Sequence, residues 1–297
     1  MFLLPLSASA QALKSAPYAQ ATTLGTLQDP AINESSGVAA SRRNPGLFWT
    51  HNDSGDGPFV YALGPHGEKR GTFRLRGVSS VTDCEDIAIG PGPQPGVPYL
   101  YLGDIGDNAH NRSQCVVWRF PEPHVTKTET HTTQAHPVLT DAPEALRFVY
   151  PDGPHDAETL LVHPKTGRVY VVTKNKSGVN GVYTFPMPLN AGKTVTLARV
   201  GTVKITGEPP MYPNLVTGGD IAPDGRRVVL RTYWSAYEYM LPTGKSSFDA
   251  VWKTMPALIA LPLQAQGEGI CYTWPKGDAL VLTSEGKGTT LYELRRK

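Results

Sequence analysis

Carboxylates are the residues of this chain most able to do chemistry, and they recur in step. Five short apolar segments each open on one: Glu34 before Ser35-Ser36-Gly37-Val38, Glu85 before Asp86-Ile87-Ala88-Ile89, Glu158 before Thr159-Leu160-Leu161-Val162, Asp220 before Ile221-Ala222-Pro223, and Glu268 before Gly269-Ile270-Cys271-Tyr272. Gathered within ~10 Å, such acids repel, and they either protonate or take up a cation. Two acidic turns break the repetition. His51-Asn52-Asp53-Ser54-Gly55-Asp56 and Gly103-Asp104-Ile105-Gly106-Asp107 each place carboxylates three apart around a glycine. Short acidic turns with glycine suit a hard ion, since calcium takes 6–8 oxygens from carboxylates, carbonyls and water. Glu34, Asp53, Asp56, Glu85, Asp104 and Asp107 are therefore the expected metal ligands, with Ca²⁺ the expected ion. The competing reading is ordinary Asx turns that cap hairpins.

Basic groups follow the same spacing. Lys174 and Arg231 stand where the two acidic turns stand in their own repeats, and His155 lies beside Asp156 and Glu158. These three are the expected substrate-binding residues, with Glu85, Glu158 and Glu268 as catalytic carboxylates. Nucleophilic catalysis finds no support. Gly-x-Ser-x-Gly is absent, and Ser284-Glu285-Gly286 ends a strand with no helix to form a nucleophile elbow.

The elements that must position these side chains form one repeated unit. After each leading acid comes an apolar strand, a Gly/Pro turn, a second strand such as Tyr99-Leu100-Tyr101-Leu102, and a third with a central aromatic. Those aromatics are Tyr61, Trp118, Tyr183, Tyr239 and Tyr292. Short strands, frequent turns and a period near ~50 residues predict an all-β fold, a β-propeller with four strands per blade. Fourth strands are expected at Thr72–Leu75, Leu146–Tyr150, Val195–Val200 and, weakly, Ala250–Lys253. The last repeat has only three strands, so Ala21–Leu27 is expected to supply its fourth and close the ring, which removes open sheet edges. Five blades follow from the count; a sixth requires another blade hidden between Cys84 and Asp152. First strands line the central channel and second strands run back to the same mouth, so the leading acids should meet His51, Asp53, Asp104, Lys174, Arg231 and Glu285 there.

Composition agrees. Gly 30 and Pro 27 in 297 residues mean many turns and exclude a helix bundle. A formal charge of +2 lacks the concentrated basic face of a nucleic-acid protein. No stretch approaches the ~18 apolar residues of a membrane span. Phe2–Leu6 followed by Ala8-Ser9-Ala10 resembles an export leader without its basic start, so residues 1–18 are expected to be a signal peptide or disordered leader and 19–297 a single domain, secreted or periplasmic. Cys84, Cys115 and Cys271 cannot all pair internally. Cys84 and Cys115 open the first and third strands of one blade, about two spacings of ~4.8 Å apart and beyond bridging reach.

Asp83-Cys84-Glu85-Asp86, Gly103-Asp104-Ile105-Gly106-Asp107, His155-Asp156-Ala157-Glu158, Gly219-Asp220-Ile221 and Gly267-Glu268-Gly269 together resemble a family of exported bacterial propellers of unassigned activity, from about Glu34 to the end. More distantly the chain is similar to the β-propeller phytases and the gluconolactonase-like propellers. Gly267-Glu268-Gly269 with Leu282-Thr283-Ser284-Glu285-Gly286 resembles the closing phytase repeat. That resemblance implies channel-mouth acids holding calcium, with Glu268 and Glu85 among the ligands. The blade count and the other acids depart from the phytase pattern. The expected function is a calcium-dependent hydrolase of a small anionic substrate, a phosphoester or lactone, acting as a monomer. The alternative is a non-enzymatic binding or scaffold propeller whose acids bond the backbone of the next blade.

Overall fold

Alternating β-branched and aromatic residues between Gly/Pro turns give short strands, and each strand buries its apolar face against the next sheet. The structure, a computed structural model, describes residues 13–207, 209 and 214–297. It is a propeller of five blades. Blade one is Ser35–Ala40, Phe48–Asn52, Phe59–Leu63 and Lys69–Arg74; blade two is Cys84–Pro91, Pro98–Asp104, Cys115–Pro121 and Glu144–Val149. Blade three is Ala157–Val162, Val169–Thr173, Val179–Thr184 and Ala198–Lys204; blade four is Val216–Ile221, Arg227–Thr232, Ser235–Met240 and Ala257–Ala260. Blade five joins Gly267–Tyr272, Ala279–Ser284 and Thr290–Arg295 to Thr22–Thr26, which pairs antiparallel with Thr290–Arg295 and closes the ring as expected. The long segment after Cys84 hides no sixth blade. It contributes Val138–Leu139, a parallel edge on blade one, and a single 3-10 turn at Lys127–His131.

Five apolar cores fill the gaps between neighbouring blades. Trp49 and Phe73 of blade one meet Leu100 and Phe120 of blade two, for example, with Trp49 and Leu100 fully buried. Cys84, Cys115 and Cys271 are free thiols buried in these cores.

Two sequence expectations are corrected. Ala250–Lys253 is not a strand but part of a 3-10 turn, Phe248–Lys253, which buries Phe248, Val251 and Trp252; the outer strand of blade four comes later, at Ala257–Ala260. The expected Val195–Val200 strand is split. Val195–Thr196 pairs parallel with blade two, and the outer strand of blade three starts at Ala198. Residues just before the expected domain start also make contacts with the blades. Ser15 bridges Leu258, Tyr18 is buried, and its hydroxyl donates to Glu238 Oε1 at 2.8 Å. The small-x-small sites of the expected leader, up to residue 12, lie outside the described residues.

Each innermost strand carries a β-bulge near its start. The register jumps over Ser36, Glu85, Glu158, Thr217 and, in blade five, Glu268 with Gly269. A bulge re-aims the side chain it releases from the ladder. The innermost strands touch one another in cyclic order, so these released residues make a ring at one mouth of the channel. Its members are three glutamates, a serine and a threonine.

Candidate functional site

The ring differs from the expected one in two of five places. In blade one the bulge position is Ser36, whose hydroxyl donates to the Glu85 carbonyl at 2.6 Å. Glu34 lies before the strand and bridges Glu285 across blades one and five. In blade four the bulge position is Thr217, which donates to the Gly267 carbonyl at 3.2 Å. Asp220 lies further along its strand, away from the mouth. It accepts the Ile221 N–H at 2.7 Å and, across the blade boundary, the Tyr272 N–H at 2.9 Å. Asp86 does the same work between blades two and three, accepting from Ile87 at 2.8 Å and Leu160 at 2.9 Å. Among the described residues, carboxylates that bond the backbone of a neighbouring blade include these two, Glu122, which accepts the Arg42 and Arg43 N–H groups, and Asp156, which accepts the Asp107 N–H at 2.9 Å; the leading glutamates are not among them.

Burial still pushes Asp220 up to about 7, against the N–H bonds and the Arg42 charge that lower it. Its usual value is near 3.8, so the native state holds the extra proton between the two. Stability from this group is therefore greatest at acid pH and is lost as pH rises through about 7. In metal-free buffer the urea midpoint should fall between about pH 4 and pH 7, at up to ~1.4 kcal/mol per unit within the window. A midpoint that rises over this range would contradict the burial of a charged Asp220.

The released glutamates gather two groups of oxygens. Asp53, Asp83 and Glu85 offer carboxylate oxygens within 4.8 Å of one another, and so do Glu85, Asp156 and Glu158. Glu85 is 2% exposed, Glu158 3% and Glu268 3%. Burial, then the charges of Glu158, Asp53 and Asp83, pushes Glu85 well above the usual carboxylate range. Burial drives Glu158 and Glu268 the same way. Asp83 is pushed up to about 6, by burial and then by Asp53 and Asp156. The balancing cation is Lys174, which bonds Glu158 Oε1 and lies 5.9 Å from the centre of the Tyr233 ring. Burial pulls its ammonium down, but Glu158, Tyr233 and Glu85 outweigh that and hold it protonated. Glu158 Oε2 is buried with no hydrogen-bond partner. Across the mouth, Tyr233 donates to Glu268 Oε1 at 3.2 Å, and burial, then the nearby Glu285 carboxyl, pushes Glu268 up. At Gly106 a Cβ would fall 2.1 Å from Glu85 Oε1 and 2.4 Å from Asp83 Oδ2, so the missing side chain is the room these oxygens occupy.

Of the expected ligands, Asp53 and Glu85 lie in the cluster and three others are engaged elsewhere. Asp104 caps the Thr82 and Asp83 N–H groups and pairs with Arg112 at 2.8 Å. Asp107 accepts the N–H groups of Asn111 and Arg112, both at 3.0 Å. Asp56 binds the Tyr61 hydroxyl at 2.6 Å. These are loop-tying contacts of the Asx-turn kind. His155 sits on the flank of blade three, 3.0 Å from Asp152 and between Tyr150 and Tyr183, away from the cluster.

Arg231 is fully buried and is no anion clamp. Its Nη1 donates to the carbonyls of Gly269 at 2.9 Å and Thr283 at 3.2 Å, and its Nη2 to Gln264 at 3.2 Å, so it ties blade four to blade five. Burial lowers it to about 9. Gly267 makes room for it, since a Cβ there would lie 2.0 Å from Nη2. Arg231→Met should cost about 2–4 kcal/mol, because carbonyls are left unpaired in a dry interface. Urea denaturation measures this, and a loss under ~0.5 kcal/mol would show that the carbonyls find other donors.

Asp83 and Asp156 are the site residues not among the expected ligands. The signal was present: each stands two residues before a ring glutamate, and alternate residues of an extended strand share a face. Gln266 holds that place before Glu268 and reaches its Oε1 at 3.4 Å.

No protein-family model and no curated protein matches the chain. Among solved structures, a structural-genomics protein described as a candidate gluconolactonase is 11% identical, over 95% of this chain and 93% of its own, at a TM-score of 0.43. A gluconolactonase from Xanthomonas campestris, described as important in glucose secondary metabolic pathways, is 10% identical over 97% of this chain and 98% of its own, at a TM-score of 0.45. Likeness at this level leaves the function to be argued from the channel mouth.

Proposed function

We propose that the channel mouth binds calcium through Asp53, Asp83, Glu85, Asp156 and Glu158, and that the protein is a calcium-dependent hydrolase of a small neutral ester of the lactone class. The observation that supports it most is the buried Glu158 Oε2 with no partner, inside a cluster of carboxylates that Lys174 and, beside Asp83, Arg112 offset only in part. Purely oxygen donors fit a hard cation such as Ca²⁺. Bound there, such an ion supplies Lewis acidity toward an ester carbonyl and acidifies water. Lys174 holds Glu158 in place, and Glu268, pushed up by burial and then by Glu285, is the carboxyl suited to hold and return a proton.

Charge decides between the two expected substrates. Glu34, Asp53, Asp83, Glu85, Asp156, Glu158, Glu268 and Glu285 stand at this mouth, opposed by Lys174 and by Arg112, which also pairs with Asp104. Even with Glu268 protonated, a divalent ion, Lys174 and Arg112 leave the set negative. A phosphoester would enter against that field. A lactone is neutral; water adds at its carbonyl, the ring C–O bond breaks, and the product is a hydroxy-carboxylate that the same field drives out. Export belongs to the same proposal, because extracellular calcium modules work at only ~10⁻⁴–10⁻³ M affinity.

The test is an assay of chelated and calcium-reloaded protein against neutral sugar and aliphatic lactones and against phosphomonoesters. Lactone turnover that returns with calcium is expected, with phosphomonoesters left intact. Folded, calcium-loaded protein that opens no lactone would favour the scaffold reading.

A further inference from the structure

We propose that the mouth holds two divalent cations rather than one, with Glu85 as the carboxylate shared between them; this rests on the calcium reading above. Calcium–oxygen bonds are ~2.3–2.6 Å, so oxygens on one ion stand no more than about 5 Å apart. The described carboxylates meet that limit as two trios, Asp53–Asp83–Glu85 and Glu85–Asp156–Glu158, each within 4.8 Å, and not as one group of five.

Two further observations point to ions on both sides. Glu158 Oε2 is buried and unpartnered on the second trio. The carboxylate of Glu85, a buried residue whose backbone carbonyl takes the Ser36 hydroxyl, accepts no hydrogen bond from any described residue, which leaves both of its oxygens available. A carboxylate with one oxygen toward each of two nearby ions is the usual bridge of two-metal sites. The surroundings make the two positions unequal. The first trio is backed by the bare Gly106 chain, and the nearby Arg112 guanidinium is held by Asp104 at 2.8 Å. The second trio carries the Lys174 ammonium on Glu158. The first ion should therefore bind more tightly, and Lys174→Met should tighten the second alone.

The experiment is calcium stoichiometry by equilibrium dialysis on full-length protein stripped with chelator, with folding followed by circular dichroism. Wild type should bind two ions per chain in two steps. Asp83→Asn and Asp156→Asn should each keep one ion, and Glu85→Gln should weaken both by more than tenfold. If Asp83→Asn does not fold, Asp53→Asn interrogates the same trio. Wild type binding a single ion that both aspartate variants lose would overturn the shared-carboxylate arrangement while leaving the calcium reading intact. Folded wild type that binds none would overturn both.

Discussion

Glu85→Gln should abolish turnover and, at the same time, make the metal-free protein more stable. Glutamine keeps the shape and removes the charge. In the native structure that charge is disfavoured by burial first, and then by Glu158, Asp53 and Asp83. Above the usual carboxylate range an ionised Glu85 therefore opposes folding unless a cation is present, and the neutral amide relieves this. Removing the carboxylate common to both trios should lower kcat/KM by about 10³-fold or more, ~4 kcal/mol of transition-state stabilisation. In chelator the variant should melt several degrees above wild type; in calcium at concentrations that load wild type but not the weakened variant the order should reverse, because wild type gains far more from RT ln(1 + [L]/Kd). Melting curves with and without calcium, beside the lactone assay, decide it. A variant that keeps both its activity and its calcium response would remove Glu85 from the site.

The second large effect concerns closure. Protein lacking residues up to Gln28 should not fold to a stable monomer. It loses Thr22–Thr26, which completes blade five, and Leu27 and Tyr18 from two of the cores. The exposed edge of Thr290–Arg295 then invites pairing between chains. A point variant measures the anchor separately. Glu238 receives Arg296 Nη1 at 2.7 Å and the hydroxyls of Tyr18 at 2.8 Å and Tyr272 at 3.0 Å, with Arg227 at 3.6 Å. Glu238→Ala leaves two guanidinium groups and two hydroxyls facing one another, so it should cost about 3–5 kcal/mol. Size-exclusion chromatography and urea denaturation read both. Truncated protein that elutes and melts like the full chain would mean the ring is stable while open.

Much of the fold was legible because a propeller repeats itself. Strand, turn, strand and aromatic recur five times, and the shortfall in the last repeat pointed to Ala21–Leu27, where Thr22–Thr26 is the closing strand. Residue type and order sufficed for that, since turn chemistry and period-two burial are local properties. The three glutamates of the mouth were legible for the same reason. What the sequence could not settle was which acids point into the mouth. Asp220 and Glu268 look alike as acids leading apolar strands, yet one bonds the next blade and the other lies at the bulge; a displacement of a few positions along a strand changes both face and depth. Asp104 and Asp107 looked like ligands, but backbone N–H groups and Arg112 use their oxygens. Arg231 looked like an anion clamp, and only the packing of blade four on blade five shows that its charge is spent on carbonyls. Asp83 and Asp156 join the site because a bulge on each strand brings alternate residues of two neighbouring blades together, which is a long-range property of the closed ring.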